Sequence, residues 1–214
     1  MRILVTGANR GIGAALCEEL VNRGEEVLPT ARHADGMLSL DVTDTASLRD
    51  FRRRMGEDSL DALVCNAGIY PDKGQRLDDG YPPEMWAEAF ATNVTGVFLT
   101  VQTLLPNLRR GTAPRIAIIG SQMGSTERAP GGSYIYRATK AAVLNLGRNL
   151  AADLRPEGIA VGIYHPGWVQ TAMGGRTAEI DTHQSAAGLA DRLAALSVAT
   201  TGRFETWDGR AHPF

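Results

Sequence analysis

Two side chains suited to proton transfer lie four residues apart in the second half of the chain. Tyr136 and Lys140 fall on a predicted helix, where this spacing places both side chains on one face. The chain has 5 Tyr, and its only lysines are Lys73 and Lys140, so such a pair rarely arises by chance. A phenol ordinarily titrates near pH ~10, and a nearby ammonium lowers that pKa by stabilising the phenolate. Tyr136 is therefore a candidate general acid and base for a carbonyl–alcohol pair.

Two further polar side chains are candidates to assist Tyr136. Ser121 follows a predicted strand, at the carboxyl edge where open α/β sheets bind their ligands, and its hydroxyl could hold the substrate oxygen. Asn93 lies inside a long predicted helix, where its amide competes with backbone hydrogen bonds, so it is either functional or a satisfied core or capping residue. Tyr134 is the competing phenol, but it has no lysine four residues further on and points to another side of the helix.

A glycine-rich loop near the start of the chain is a candidate phosphate-binding site. Thr6–Gly13 reads TGANRGIG, between a predicted strand and a predicted helix. Glycines at this place allow a sharp turn and let the backbone approach a pyrophosphate, while the helix presents free N–H groups to the phosphates. A purely structural strand–helix turn is the alternative. The position of the loop, in the first strand–helix–strand unit, favours a dinucleotide cradle.

Basic residues near this loop bear on which dinucleotide is bound. The position that carries an acid in NAD-binding folds falls at Ala31, and Arg32 follows it. Arg10, inside the glycine loop, adds a second guanidinium, a group well shaped for a phosphate. Asp35 is the competing acid, but it precedes Gly36 and is interpreted as a loop residue. The pattern predicts that NADP(H) is preferred and leaves NAD(H) possible.

Strand and helix patterns alternate along the chain. The predicted strands are Arg2–Thr6, Val27–Ala31, Met37–Leu40, Leu60–Cys65, Ile116–Ile119, Ile159–Tyr164 and a short one around Phe204. The predicted helices are Ile12–Arg23, Thr43–Met55, Pro83–Arg110, Tyr134–Leu154 and a shorter one from about Ser185 to Ala195. Such alternation indicates an α/β fold, a single-domain Rossmann-type doubly wound parallel sheet with helices on both faces. We expect one domain over 1–214, with a cofactor half of about 1–115 and a catalytic half of about 116–214.

The composition narrows the function classes. The chain has 214 residues, 43% of them hydrophobic and 21% charged, which is typical of one globular domain. A net charge of −2 gives no reason to expect nucleic acid or an anionic membrane as a partner. Cys17 and Cys65 form no metal-binding or redox pattern, so no metal is expected. No apolar run approaches the ~20 residues of a membrane span, and the chain enters its first strand without a signal-peptide pattern, so we expect a cytoplasmic protein.

Several motifs together resemble one family. They are the loop Thr6–Gly13, the segment Cys65–Gly68, Asn93 within Thr92–Gly96, then Ser121, Tyr136 with Lys140, and Pro166–Thr171. In this order they resemble the short-chain dehydrogenase/reductase superfamily, over almost the whole chain. The compact length and the ending Gly202–Arg210 are similar to its C-factor/sniffer-like branch.

The resemblance implies roles for the matching positions. Tyr136 would be the general acid and base, Ser121 would orient the substrate, Lys140 would bind the nicotinamide ribose and tune Tyr136, and Asn93 would hold a water in a proton relay. The cofactor-binding residues that it implies, together with the arginines above, are Gly7, Asn9, Arg10, Gly11, Ile12, Gly13, Arg32, Asp41, Val42, Asn66, Ala67, Gly68, Tyr136, Lys140, Pro166, Gly167, Val169 and Thr171.

Two functions stay open at this point. The first is an NADP(H)-dependent oxidoreductase that acts on a small carbonyl or alcohol substrate. The second is an NADP(H)-binding signalling or redox-sensing protein without significant turnover, because the fold alone does not establish catalysis. The loops at 71–83, 122–135 and 167–183 would set specificity, and the long predicted helices could pair two subunits in a homodimer.

Overall fold

A computed structural model describes residues 1–33 and 36–214, so Asp35 lies outside the described residues. Within the described residues, seven parallel strands form one sheet in the order β3-β2-β1-β4-β5-β6-β7. Their bounds are β1 Arg2–Thr6, β2 Glu26–Ala31, β3 Leu38–Ser39, β4 Ala62–Cys65, β5 Arg115–Ile119, β6 Ala160–His165 and β7 Phe204–Thr206. The order reverses between β1 and β4, which creates a crevice at the carboxyl ends of these strands.

Six α-helices connect the strands in the part of the chain that the structure describes, and local side chains fix the ends of some of them. They are α1 Gly11–Asn22, α2 Thr45–Met55, α3 Pro83–Phe90, α4 Gly96–Leu108, α5 Tyr134–Leu154 and α6 Thr182–Ala195. Asp44 begins α2 by accepting hydrogen bonds from two backbone N–H groups, and Asp181 with Gln184 forms a capping box at the start of α6. The predicted bounds of α5 are correct, whereas α6 begins three residues earlier than expected.

The core has two layers, one on each face of the sheet. Along β1, Leu4 points to the face covered by α2, α4 and α5, while Ile3 and Val5 point to the face covered by α1 and α6. The central strands β1, β4, β5 and β6 are therefore buried on both sides, as is typical of a parallel sheet. This arrangement confirms the doubly wound α/β fold.

The long helix expected over 83–110 is wrong in one respect, because a π-helical segment interrupts it. α3 ends at Phe90, residues Ala91–Thr95 form the π-helical turn, and α4 begins at Gly96. The backbone N–H of Gly96 donates to the carbonyl of Ala91, five residues back, as in a π-helix. Asn93 lies in the middle of this turn, with its side chain buried and bonded to neighbouring elements. The helical spacing of apolar residues thus predicted which residues are helical, but it did not predict the π-helical turn at Ala91–Thr95.

A close backbone approach sets the distance between the turn after β5 and α5. The Cβ of a residue at Gly124 would lie 2.5 Å from the carbonyl carbon of Lys140 and 2.8 Å from the backbone nitrogen of Ala141. Only glycine allows this approach, which brings the Ser121 turn against the helix that carries Tyr136 and Lys140.

Gly124→Ala should therefore destabilise the protein, because backbone atoms cannot move aside as a flexible side chain can. We expect the free energy of unfolding to fall by about 1–3 kcal/mol, measured by chemical denaturation. Ala113→Gly is the opposite-sign control, since exposed Ala113 has a φ of 48° and glycine relieves that strain. Unchanged stability in Gly124→Ala would contradict the close contact.

Candidate active site

A cleft of about 960 Å³ opens at the carboxyl ends of the strands, at the reversal of strand order. This volume falls in the range of small-molecule sites, about 300–1,000 Å³. The structure brings sixteen of the predicted site residues to its wall: Gly7, Asn9, Arg10, Gly11, Ile12, Gly13, Arg32, Asp41, Val42, Asn66, Ala67, Gly68, Tyr136, Lys140, Pro166 and Thr171. Residues far apart in sequence thus line one cleft.

The glycine loop fits the close packing that a phosphate cradle requires. Gly7 has a φ of 64°, and its Cβ would lie 2.9 Å from the Cα of Ala67. A Cβ at Gly13 would lie 2.3 Å from the carbonyl oxygen of Gly7, so the start of α1 packs directly on the loop. Arg10, the residue before α1, makes no side-chain bond to the first helical N–H groups. These donors are left for a ligand, which fits the pyrophosphate of a dinucleotide.

The end of the cleft that Arg10, Arg32 and Asp41 line carries both positive and negative side chains. Arg10 and Arg32 line it with exposed side chains, and His33 lies beside Arg32. The Asp41 carboxylate accepts hydrogen bonds from the backbone N–H and the hydroxyl of Thr43, at 2.9 and 2.7 Å. Burial raises the pKa of Asp41, but these bonds and the charges of Arg32 and His33 outweigh it and lower the pKa below its ordinary value. Asp41 is thus held as a carboxylate.

Tyr136 and Lys140 lie together on the inner wall of the cleft. Their side chains are 8% and 7% exposed, and the Lys140 Nζ lies 5.7 Å from the centre of the Tyr136 ring. Lys140 Nζ also donates a hydrogen bond of 2.8 Å to the carbonyl of Ile119, at the end of β5. The helical spacing read from the sequence therefore places the phenol and the amine side by side.

Burial controls the ionisation of both groups in the ligand-free protein. It raises the pKa of Tyr136 to about 12; a hydrogen bond with Ser121 acts in the opposite direction, and the charges of Tyr70 and Asp72 raise the pKa further. Burial also lowers the pKa of Lys140 to about 8. In the protein alone, loss of water outweighs any attraction by the ammonium. The expected lowering of the phenol pKa by the ammonium together with an oxidised nicotinamide ring stays a prediction.

Ser121 and Asn93 are both buried next to this pair. Ser121 follows β5, and its hydroxyl accepts a hydrogen bond of 3.1 Å from the backbone N–H of Met123. Asn93 uses its side chain within the protein: it accepts from the N–H of Ile69 at 2.8 Å and donates to the Ile69 carbonyl and the Thr139 hydroxyl at 2.9 and 3.0 Å. Asn93 therefore ties the loop after β4 to α5, and the water relay stays a prediction.

Two predicted cofactor residues are not among the described residues that line the cleft. Val169 is buried and pairs with Ile180 in a β-bridge. Gly167 has a φ of 91°, and a Cβ there would lie 2.5 Å from the Cδ1 of Ile180. Both residues shape the backbone between Pro166 and Thr171, and their contacts with a cofactor stay a prediction.

Sequence patterns did not single out Tyr70 and Lys73, which lie beside the cleft. Tyr70 stacks on Tyr136, with ring centres 4.1 Å apart and planes 20° apart. Lys73 donates a 3.0 Å hydrogen bond to the carbonyl of Met173, joining the two loops beside the cleft. The only sequence feature that could have indicated these two residues is their position after the predicted strand that ends at Cys65. Tyr134, the competing phenol, is 40% exposed and packs edge-on against Tyr81, outside the cleft lining described.

The described residues contain neither a metal-binding cluster nor a membrane-spanning helix. Across residues 1–33 and 36–214, no group of three or more His, Cys, Asp or Glu side chains could hold a metal ion. Within the same ranges, no helix combines the length and apolarity needed to cross a membrane.

Comparisons with known proteins agree on one family. A family model described as short chain dehydrogenase matches residues 1–181. The "C-signal" protein of Myxococcus xanthus is 35% identical over 168 residues, 78% of this chain and 100% of that protein. NADPH-bound carbonyl reductase from chicken fatty liver has a TM-score of 0.90 and 28% identity, covering 100% of this chain and 98% of that one. Carbonyl reductase Sniffer of D. melanogaster has a TM-score of 0.91 and 26% identity, covering 100% and 99%.

Lys140→Met should stabilise the protein most at neutral pH. The folded-state pKa of about 8 lies below the ordinary 10.5, so the unfolded chain binds more protons between these values and wild-type stability rises with pH there. Removing the amine should therefore raise the free energy of unfolding at pH 7, by at most about 3 kcal/mol, and by less at pH 10. The lost bond to Ile119 lowers stability at both pH values and cancels from the difference.

Chemical denaturation at pH 7 and pH 10 measures this effect. Lys73→Met is the control, because Lys73 is exposed and its substitution should have the same effect at both pH values. An effect of Lys140→Met that does not change with pH would show that burial does not control this amine.

Proposed function

Because the chain belongs to the short-chain dehydrogenase/reductase family, we propose that it is an NADP(H)-dependent oxidoreductase acting on a small carbonyl or alcohol substrate, with Tyr136 as general acid and base. The observation that carries the proposal is the buried pair Tyr136–Lys140 on the wall of a cleft that also contains the glycine cradle. A bound nicotinamide dinucleotide supplies the hydride donor or acceptor.

The side chains of this chain supply binding and proton transfer. The N–H groups at the start of α1 and the glycine loop bind the pyrophosphate, and Lys140 binds the nicotinamide ribose. Ser121 orients the substrate oxygen toward Tyr136. In the reducing direction the Tyr136 hydroxyl donates its proton to that oxygen, and in the oxidising direction the phenolate takes the proton back. At neutral pH the Tyr136 phenol holds its proton, as an ordinary phenol does, so it is in the form that donates.

NADP(H) is the proposed cofactor over NAD(H). Arg10 and Arg32 line the cleft at the end that also holds Asp41, and two guanidinium groups there favour an additional phosphate. The chicken carbonyl reductase with a similar fold binds NADPH, which supports this preference.

A second function is supported by one comparison. The relative that matches along its whole length is named "C-signal", so a signalling protein that binds NADP(H) without turnover is an alternative. That function has no need of a proton donor at position 136. The oxidoreductase is favoured because Tyr136, Lys140 and Ser121 all lie together.

Tyr136→Phe should abolish turnover without abolishing cofactor binding. With purified protein, NADPH and a panel of aldehydes, ketones and quinones, the wild type should oxidise NADPH, and the variant should be slower by about 10²–10⁴-fold. Tyr134→Phe is the matched control on the same helix and should keep wild-type activity. No NADPH oxidation by the wild type, with binding retained, would favour the signalling function; full activity in Tyr136→Phe would exclude Tyr136 as the acid.

Arg10→Ala and Arg32→Ala should weaken NADPH binding and leave NADH binding nearly unchanged. Each lost phosphate contact should raise the Kd for NADPH by about tenfold or more, measured by fluorescence titration. Arg54→Ala on the exposed face of α2 is the control. Equal affinity of the wild type for NADH and NADPH would exclude the proposed preference.

A further inference from the structure

The helix that carries Tyr136 and Lys140 begins without a cap of its own. α5 starts at Tyr134, and the residue before it, Ser133, has the left-handed values φ 49° and ψ 45°. The Ser133 side chain bonds to none of the first helical N–H groups. These N–H groups lie in a buried part of the protein, where an unpartnered donor is costly, so another element must supply their acceptor.

Asp72 supplies that acceptor from the loop after β4. Its carboxylate accepts a 2.8 Å hydrogen bond from the N–H of Ile135 and longer ones, 3.2 and 3.3 Å, from the N–H of Tyr136. The side chain is 0% exposed. A carboxylate at a helix N-terminus is favourable, and here it comes from 63 residues earlier in the chain. Asp72 thus bonds directly to the backbone of the proposed proton donor.

The same loop holds the start of α5 at a second point. The ring of Tyr70 stacks on the ring of Tyr136, and the Tyr70 hydroxyl shares a 2.5 Å hydrogen bond with the Ser133 hydroxyl. The segment 70–72 therefore contacts both the backbone and the ring of Tyr136.

We propose that Asp72 is a positioning residue for the reaction: its buried carboxyl group fixes the backbone of Tyr136 at the start of α5 and opposes the effect of the Lys140 ammonium on the phenol. This inference rests on the proposed role of Tyr136 as general acid. Asp72 itself acts only through Tyr136, since its described hydrogen bonds are to the protein backbone.

The other charged and titratable groups near Tyr136 are few in the part of the chain that the structure describes. Lys140 lies on the same helix, and its ammonium favours the phenolate. Tyr70 and Asp72, from the loop after β4, favour the protonated phenol. From β6, His165 lies near Lys140, and burial lowers the pKa of this imidazole to about 4, so it carries no charge at neutral pH. Of these groups, Asp72 is the acid, and its effect on Tyr136 is opposite to that of the Lys140 ammonium.

Asp72→Asn separates the charge from the hydrogen bonds, because the amide oxygen can still accept from the N–H groups of Ile135 and Tyr136. We expect the titration midpoint of Tyr136 to fall by about 1 pH unit. The measurement is NMR of protein labelled with ¹³C at the tyrosine Cζ, in excess NADP⁺, with the Tyr136 signal assigned by its absence in Tyr136→Phe. The pH profile of alcohol oxidation with NADP⁺ should shift to lower pH by the same amount.

Asp61→Asn is the matched control. The Asp61 carboxylate also accepts from two backbone N–H groups at 2.8 Å, but at the amino ends of the strands, far from Tyr136. A midpoint that falls in Asp72→Asn and stays unchanged in Asp61→Asn supports the proposal. An unchanged midpoint in Asp72→Asn, or equal shifts in both variants, overturns it. If Asp72→Asn does not fold, Asp72→Ser is the second neutral variant and is judged by the same midpoint.

The two proposals fail in different ways. NADPH oxidation that depends on Tyr136 supports the oxidoreductase proposal. If the Tyr136 midpoint in Asp72→Asn nevertheless matches the wild type, the proposed role of Asp72 is excluded. If the midpoint shifts but neither the wild type nor any variant oxidises NADPH or an alcohol, Asp72 does raise the pKa of Tyr136, and the proposed reaction is excluded.

Discussion

Burial of the Tyr136 phenol beside the Lys140 amine is the constraint on which the site depends. Away from water, the charged form of each group is disfavoured. The pKa of the phenol is therefore raised, and the pKa of the Lys140 ammonium is lowered, so this ammonium loses its proton more readily. A ligand that enters the cleft changes this balance, since it brings new charges and hydrogen bonds to both groups. In the ligand-free protein the phenol is therefore protonated at neutral pH. The burial of Lys140 costs stability, which is typical of a functional site.

Several contacts hold this pair in place, and none lies within the pair itself. Asn93, in the π-helical turn, joins the backbone of Ile69 to the hydroxyl of Thr139 on α5. Gly124 lets the turn after β5 approach the backbone of Lys140. Lys140 donates to the end of β5. The site is thus built where the segments that follow β4 and β5 meet one helix, and these contacts fix the phenol and the amine.

Much of the fold and of the site could be predicted because it depends on local pattern. The bounds of α5 follow from its apolar spacing, and the spacing of Tyr136 and Lys140 puts both on one face. Glycines at 7 and 13 are required by close packing of the first turn. The π-helical turn at Asn93 was not predictable in this way, because its cause is a set of hydrogen bonds to Ile69 and Thr139, distant in sequence.

The amino-acid sequence by itself determined the order of strands and helices, the glycine cradle and the residue types available for proton transfer, since each is encoded in spacing over a few residues. Tertiary structure alone decided which groups surround those residues. It buried the phenol and so raised its pKa, paired Val169 with Ile180 in a β-bridge, and brought the carboxylate of Asp72 to the start of a helix 63 residues later. Burial and long-range hydrogen bonding depend on the packing of the whole chain, and no local pattern contains them.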